Sequence, residues 1–202
     1  MIAILDYDAG NLKSVEKALT HLGEESIITR DRREVERADK LILPGVGSFG
    51  AAMEQLRKYE IHKLLEEAKE EGKPILGICL GLQLLFESSK ESEGVRGLGL
   101  LPGEIVRFSE KSGLKIPHIG WNSLKFPHPG RLFCSVPEES YVYFVHSYYL
   151  KAKDDAIVTA TTEYGELVHA SVEKDNIFAC QFHPEKSSEV GLTILKNFIN
   201  IR

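Results

Sequence analysis

The stretch PILGICLGLQLLF, Pro74 to Phe86, changes hydrophobic pattern part-way along its length. Ile75-Leu76-Gly77-Ile78 is a continuous apolar run bounded by Gly72 and Pro74, and it reads as a strand buried on both faces. Leu80 to Glu87 then reads as a helix. Between the two lies Gly77-x-Cys79-x-Gly81. Small residues two before and two after a nucleophile permit a tight strand-to-helix turn that thrusts the side chain outward. A cysteine there gains from the helix N-terminus, whose partial positive charge favours thiolate. The competing reading makes Cys79 one more small buried hydrophobe, the commonest fate of a free thiol.

Upstream the same grammar repeats. Ile2 to Leu5, Ser26 to Thr29 and Leu41 to Leu43 are short apolar strands. Leu12, Val15, Leu19 and Leu22 recur at helical spacing, and Gly23 stops that helix. A longer helix is predicted from Ala51 to Glu71, with Met53, Leu56, Leu64, Leu65 and Ala68 on its apolar face. Downstream the pattern changes. Glu104–Phe108, Tyr141–Leu150, Ala156–Thr162, Leu167–Glu173 and Ile177–Phe182 are strand-like, and Asp175-Asn176 reads as a tight hairpin turn. A last helix runs from Ser188 to Ile199. The expectation is an α/β fold: a mostly parallel central sheet with helices on both faces and antiparallel strands added in the C-terminal half. No repeat or linker divides the chain, so residues 1–202 are expected to form one domain.

Composition narrows the function classes. Hydrophobic residues make up 43% and charged residues 27%, ordinary for a globular protein, and the net charge of −5 comes without a basic block. Neither a nucleic-acid surface nor an acidic membrane is indicated. No run approaches a membrane span, and the N-terminal residues lack the features of a signal peptide. Cys79, Cys134 and Cys180 are an odd count without CxxC spacing. A reducing, cytoplasmic setting is expected, in which cysteines are core residues or chemistry.

Pro44 to Gly50, PGVGSFG, carries the GxGxxG pattern of a dinucleotide site directly after a strand. Such a site needs an acidic residue at the end of the next strand, roughly 20 residues on. Here Glu66, Glu67, Glu70 and Glu71 fall on the predicted helix instead. The pattern also follows the third strand, whereas the fingerprint belongs to the first βα turn. No dinucleotide, and no other cofactor, is expected.

A nucleophilic cysteine needs a base. His183 closes the strand Cys180-Gln181-Phe182-His183, and Glu185 follows two residues later. Alternation puts Phe178, Cys180 and Phe182 on one face, with Ala179, Gln181 and His183 on the other. A carboxylate at that spacing can hold one imidazole nitrogen while the second faces a thiol. Pro184 restricts the pair, although taken alone these residues read better as a surface turn with a solvated Glu185. In a parallel sheet the turn after one strand can lie beside the turn after another, so the Gly45–Gly47 turn can meet the turn at Cys79. Backbone N–H groups near Val46 and Leu80 would then face one oxyanion.

Taken together, GICLGLQLLF around Cys79, PGVGSFG at 44–50, YFVHSYY at 143–149 and QFHPEKSS at 181–188 resemble the triad-type, or class I, glutamine amidotransferase family. DYDAGN at 6–11 and PHIGWN at 117–122 narrow the likeness to glutaminase subunits of histidine biosynthesis. The resemblance spans essentially the whole chain, with its motifs in the family's order. It implies that Cys79 attacks the side-chain amide of glutamine, with His183 as base and then acid and Glu185 orienting it. It implies Val46 and Leu80 as the oxyanion hole, with a Gly45–Val46 peptide that turns to complete it. Gly45, Gly47, Gln83, Ser147 and Tyr148 become substrate contacts. Gln83 also stands one helical turn beyond Cys79. The implied partner is a separate cyclase subunit, a (β/α)₈ barrel that consumes the ammonia. Asn11, Trp121 and Lys186 are candidates for the docking face, although Trp121 suits a core equally and Lys186 suits a solvated surface.

Other features read more plainly. Glu66 to Glu71 is a solvated helix face. His118, His128 and His169 show no ligand spacing, so no metal site is expected. Cys134 reads as partly buried and inert, and His146 as a packing residue beside the substrate segment. A related cysteine hydrolase and a non-catalytic binding subunit are the competing functions. PHIGWN argues against the first, and the intact Cys79, His183 and Glu185 argue against the second.

Overall fold

Residues 1–110 and 113–202 are described by a computed structural model. The first half alternates strand and helix: Ile2–Leu5 (β1), Leu12–His21 (α1), Ser26–Thr29 (β2), Arg32–Arg37 (α2), Lys40–Gly45 (β3), Phe49–Lys58 (α3), Ile61–Glu70 (α4), Ile75–Cys79 (β4) and Leu80–Leu84 (α5). Strands then dominate: Ser88–Ser89 (β5), Gly103–Arg107 (β6), His118–Ser123 (β7), Tyr141–His146 (β8), Tyr148–Ala152 (β9), Val158–Glu163 (β10), Leu167–Lys174 (β11) and Ile177–Cys180 (β12). The helix Ser188–Asn200 (α6) follows.

The main sheet runs β2-β1-β3-β4-β12-β11-β9-β6-β5, with β10 beside β11. Its block from β2 to β12 is parallel, whereas β11, β9 and β10 pair antiparallel with their neighbours. The turn at Asp175 and Asn176 joins β11 to β12 as a hairpin, with Asp175 at a φ of 54°. β7 and β8 form a separate antiparallel pair. This is the expected α/β architecture.

Period-two alternation explains why both faces carry helices. Ala3, Leu5, Leu41, Leu43 and Ile75 join one core with Met53, Leu56, Ile61 and Leu64 of α3 and α4. Ile2, Ile4, Ile42, Leu76, Ile78 and Phe178 join the other with Val15 and Leu19 of α1 and Leu195 and Phe198 of α6. β1, β4 and β12 each feed both cores, so they are apolar along their whole length.

Three predicted elements differ in detail. The long helix expected from Ala51 to Glu71 is two helices, broken at Glu60, which takes a left-handed φ of 57°. Leu56 and Ile61 are five residues apart, one too many for a single buried stripe, and the break restores the phase. The strand expected over Tyr141–Leu150 is two strands in different sheets, β8 and β9, parted at Ser147. The elbow helix ends at Leu84 rather than Glu87, and Phe86 turns into the core. Helix α2 and strand β7 had no counterpart in the sequence reading. The Asp31 side chain caps α2 by accepting the N–H groups of Arg33 and Glu34, a contact worth about 1 kcal/mol.

Candidate active site

β4 lies between β3 and β12, and all three run the same way. Gly45 is in register with Cys79 across β3 and β4, and Cys180 with Ile78 across β12 and β4. The turns leaving these carboxyl ends therefore meet at one crevice, where ligands of parallel sheets bind. A cavity of about 310 Å³ opens there, within the range of small-molecule sites. Val46, Gly47, Cys79, Leu80, Gln83, Ser147, Tyr148 and His183 all line it.

Cys79 sits at the elbow with φ 55° and ψ −109°, a conformation that non-glycine residues avoid. Its sulfur is 3.7 Å from Gln181 Nε2 and 4.0 Å from the Val145 carbonyl oxygen. His183 is anchored by its own N–H, which donates to the Tyr143 carbonyl at 3.0 Å. The carbonyl of His183 accepts from Ser187 Oγ at 2.6 Å. A short helical turn over Pro184–Lys186 brings Glu185 back, and His183 Nδ1 lies 2.7 Å from Glu185 Oε1. Both side chains are fully buried. Among the described residues His183 Nε2 has no hydrogen-bond partner. Burial opposes a charge on His183, but Cys79 and Glu185 outweigh it and raise the imidazole pKa to about 9.

Gln83 donates both hydrogens of its amide, to the Tyr148 carbonyl and to Gln181 Oε1, each at 3.1 Å. Its amide oxygen is the group left for a ligand. Asn11 is not free. Its Nδ2 donates to Glu185 Oε1, so this side chain is tied to the carboxylate behind His183. Trp121 is half exposed at 50%, beside Ile119 at 56% on the same face of β7 and near Tyr141 at 58% on β8. The core alternative for Trp121 is thereby excluded. Lys186 is exposed. Neither Asn11, Trp121 nor Lys186 lines the cavity.

Gly45 lies behind the cavity rather than on its wall. A Cβ there would stand 2.4 Å from the hydroxyl of Tyr7, which donates to the Pro44 carbonyl at 2.7 Å. Burial, and then the charge of Cys79, raise the Tyr7 phenol well above its usual range. Gly47 is the glycine whose φ of 98° requires its type.

Sequence reasoning missed Glu91, which lines the cavity and accepts the Phe49 N–H at 2.7 Å. A carboxylate there can meet the cationic α-ammonium of an amino acid. It sits in a polar loop, Lys90-Glu91-Ser92-Glu93, that carries no pattern. Tyr7 was missed for a similar reason, since its partner Pro44 is remote in sequence. Cys134 is exposed, not partly buried: Leu132 and Phe133 turn inward and leave it outside. Cys180 packs in the core as its strand face requires. Among the described residues no three His, Cys, Asp or Glu side chains are placed to hold a metal ion, and no helix is long and apolar enough to cross a membrane.

The model of the class I glutamine amidotransferase family matches residues 3–201. The chain belongs to that family. The subunit HisH of imidazole glycerol phosphate synthase from Moorella thermoacetica is 51% identical over 197 residues, covering 98% of this chain and 93% of that one. The HisH subunit of Methanocaldococcus jannaschii is 47% identical, with both chains covered completely. Among solved structures, a glutamine amidotransferase superposes with a TM-score of 0.75 at 21% identity, covering 98% of each chain. PurLQS from Thermotoga maritima gives 0.75 at 22% identity, with 98% and 97% covered. These two establish the likeness of fold.

Proposed function

We propose that this glutamine amidotransferase is the glutaminase subunit of imidazole glycerol phosphate synthase, acting as one domain in the cytoplasm. One observation carries the reading. A thiol, an imidazole and a carboxylate converge at the carboxyl ends of two adjacent parallel strands, in a chain about half identical to HisH subunits.

The chemistry follows from the geometry. Glutamine lies in the cavity with its side-chain amide at Cys79, its position set by Gln83, Gly47, Ser147 and Tyr148. The Cys79 proton passes to His183 Nε2, and the sulfur attacks the amide carbon. N–H groups of Val46 and Leu80 receive the oxyanion, a contribution of roughly 3 kcal/mol per donor in comparable sites. His183 returns its proton to the amide nitrogen, the C–N bond breaks, and ammonia leaves. His183 then deprotonates a water, which cleaves the γ-glutamyl thioester to glutamate and restores the thiol. Glu185 holds Nδ1 throughout, so Nε2 is always the nitrogen that faces sulfur.

The ammonia goes to a separate cyclase subunit, a (β/α)₈ barrel, which makes imidazole glycerol phosphate and an aminoimidazole carboxamide ribonucleotide. Trp121, with Ile119 and Tyr141 around it, supplies an exposed apolar centre for that docking face. Asn11, tied to Glu185, and the exposed Lys186 next to Glu185 in sequence are the candidates for its catalytic edge. The test is glutamate release by the purified chain, alone and with the cyclase and its nucleotide ligand. Cys79→Ala abolishes glutamine-dependent synthesis and spares synthesis from ammonium salts. Loss of both activities in that variant would sink the division of labour.

A further inference from the structure

His118 and His146 are buried, and neither takes part in the chemistry just derived. His146 Nδ1 lies 2.8 Å from the Tyr148 carbonyl oxygen. A carbonyl only accepts, so Nδ1 carries the hydrogen and Nε2 carries a lone pair. His118 Nδ1 lies 3.0 Å from that Nε2 and must therefore be the donor. The remaining nitrogen, His118 Nε2, then accepts from Asn122 Nδ2 at 3.4 Å. The second hydrogen of the same Asn122 amide goes to the Glu163 carbonyl at 2.9 Å, and its oxygen accepts the Ser123 N–H. Every donor and acceptor is used in one direction, and both rings are neutral.

The surroundings keep them so. His118 stacks on Tyr164 at 4.0 Å and on Phe144 at 4.8 Å, and Phe108 lies against both imidazoles. The groups facing the pair are aromatic rings, Asn122, each other and, farther in, the His183 charge. Burial, the largest cause, lowers the pKa of His118 to about 4 and that of His146 to about 3.

The chain of bonds ends at a useful place. The Tyr148 carbonyl also accepts from Gln83, which is bonded to Gln181, which in turn reaches Cys79. His146 itself borders the cavity at the point where the backbone leaves β8 for β9. At the far end, Asn122 follows Trp121 on β7.

We propose that Asn122, His118 and His146 are positioning residues for glutamine: a one-way hydrogen-bond relay from the Trp121 strand that sets the Tyr148 carbonyl, and through it Gln83 and the Ser147–Tyr148 wall. The proposal deepens the glutaminase reading and rests on it for its kinetic consequence, but its geometry stands apart from that reading. The relay requires the Nδ1–H tautomer on both rings, the less common form of a neutral histidine.

Two measurements decide it, both on the full chain. Long-range ¹H–¹⁵N spectra of ¹⁵N-histidine-labelled protein at pH 7 show His118 and His146 neutral and protonated at Nδ1; an Nε2–H tautomer or a charge on either ring overturns the relay. Steady-state glutaminase kinetics in complex with the cyclase then test its role. His146→Phe keeps the ring shape but loses the donor, and raises the glutamine KM about tenfold, the worth of one buried hydrogen bond, with a smaller change in kcat. His146→Asn retains a donor at the Nδ1 position and recovers most of that loss. Equal KM values for the two variants, or a KM unmoved in His146→Phe, overturn the positioning role. Absence of glutamate release by the wild-type complex would instead count against the functional reading, while the spectra still decided the relay.

Discussion

A methyl group on Gly81 would sit 1.8 Å from the Leu43 carbonyl oxygen, and one on Gly77 would sit 2.8 Å from that of Gly81. Both clashes are with backbone, which cannot swing aside. The elbow therefore needs glycine at both places to hold Cys79 in its left-handed turn, a conformation that stores roughly 1–3 kcal/mol. Gly81→Ala is expected to lose about 3 kcal/mol and lower Tm by roughly 6–12 °C, with loss of glutaminase activity. Differential scanning calorimetry checks this; an unchanged Tm would mean that the elbow is not confined as described. The spacing of these glycines was legible because it is local. The glycines of PGVGSFG were harder to read. Gly45 makes room for the Tyr7 hydroxyl, and Gly47 takes a positive φ. The same GxGxxG letters thus serve a close side-chain approach and a turn, which is why the pattern alone does not identify a nucleotide loop.

Helix α3 ends and α4 begins within Tyr59-Glu60, with neither glycine nor proline to mark the place. Periodicity supplied the apolar residues, but the extra position between Leu56 and Ile61 was visible only as a phase slip. Tertiary contacts hold the break: the Tyr59 hydroxyl donates to Asp8 Oδ2, and the Arg30 guanidinium lies 4.1 Å over its ring. Glu60 meanwhile sits in a conformation that glycine adopts freely. Its ion pair with Lys63 is exposed and weakly stabilising. Glu60→Gly should therefore raise Tm by about 1–3 °C despite losing that pair. A lower Tm in a thermal melt would show that the side chain matters more than its backbone. Strands β8 and β9 teach the same lesson. Tyr141 to Leu150 is a continuous strand pattern, and only pairing with β7 on one side and with β6 and β11 on the other reveals the change of sheet at Ser147. Sequence alternation reports burial but does not say which sheet buries a residue. The strand break that shapes the cavity was therefore hidden, although Ser147 and Tyr148 themselves were expected there.

Across the whole molecule, parallel packing of β3, β4 and β12 gathers groups from residues 45, 79 and 183, and that convergence was foreseeable once the strands were read as parallel. The histidine pair was not, because His118 and His146 meet only through the β7–β8 register, His118 opposite His146. Their burial has a consequence for the stability of the entire fold. In the unfolded chain an imidazole takes up a proton near pH 6.5. In the fold His118 and His146 do so only at about 4 and about 3. Below pH 6.5 the unfolded state therefore binds more protons, so stability rises with pH in that range. The contribution is fully present above pH 6.5, declines as pH falls, and stops changing once the folded values are passed. Thermal melts from pH 7 down to pH 4 should show Tm falling steadily for the wild type. In His146→Phe the fall should be shallower whatever the starting Tm, because one of the two protonations is gone. Parallel slopes for the two proteins would mean that His146 is not held neutral, and that acid sensitivity arises elsewhere in the molecule.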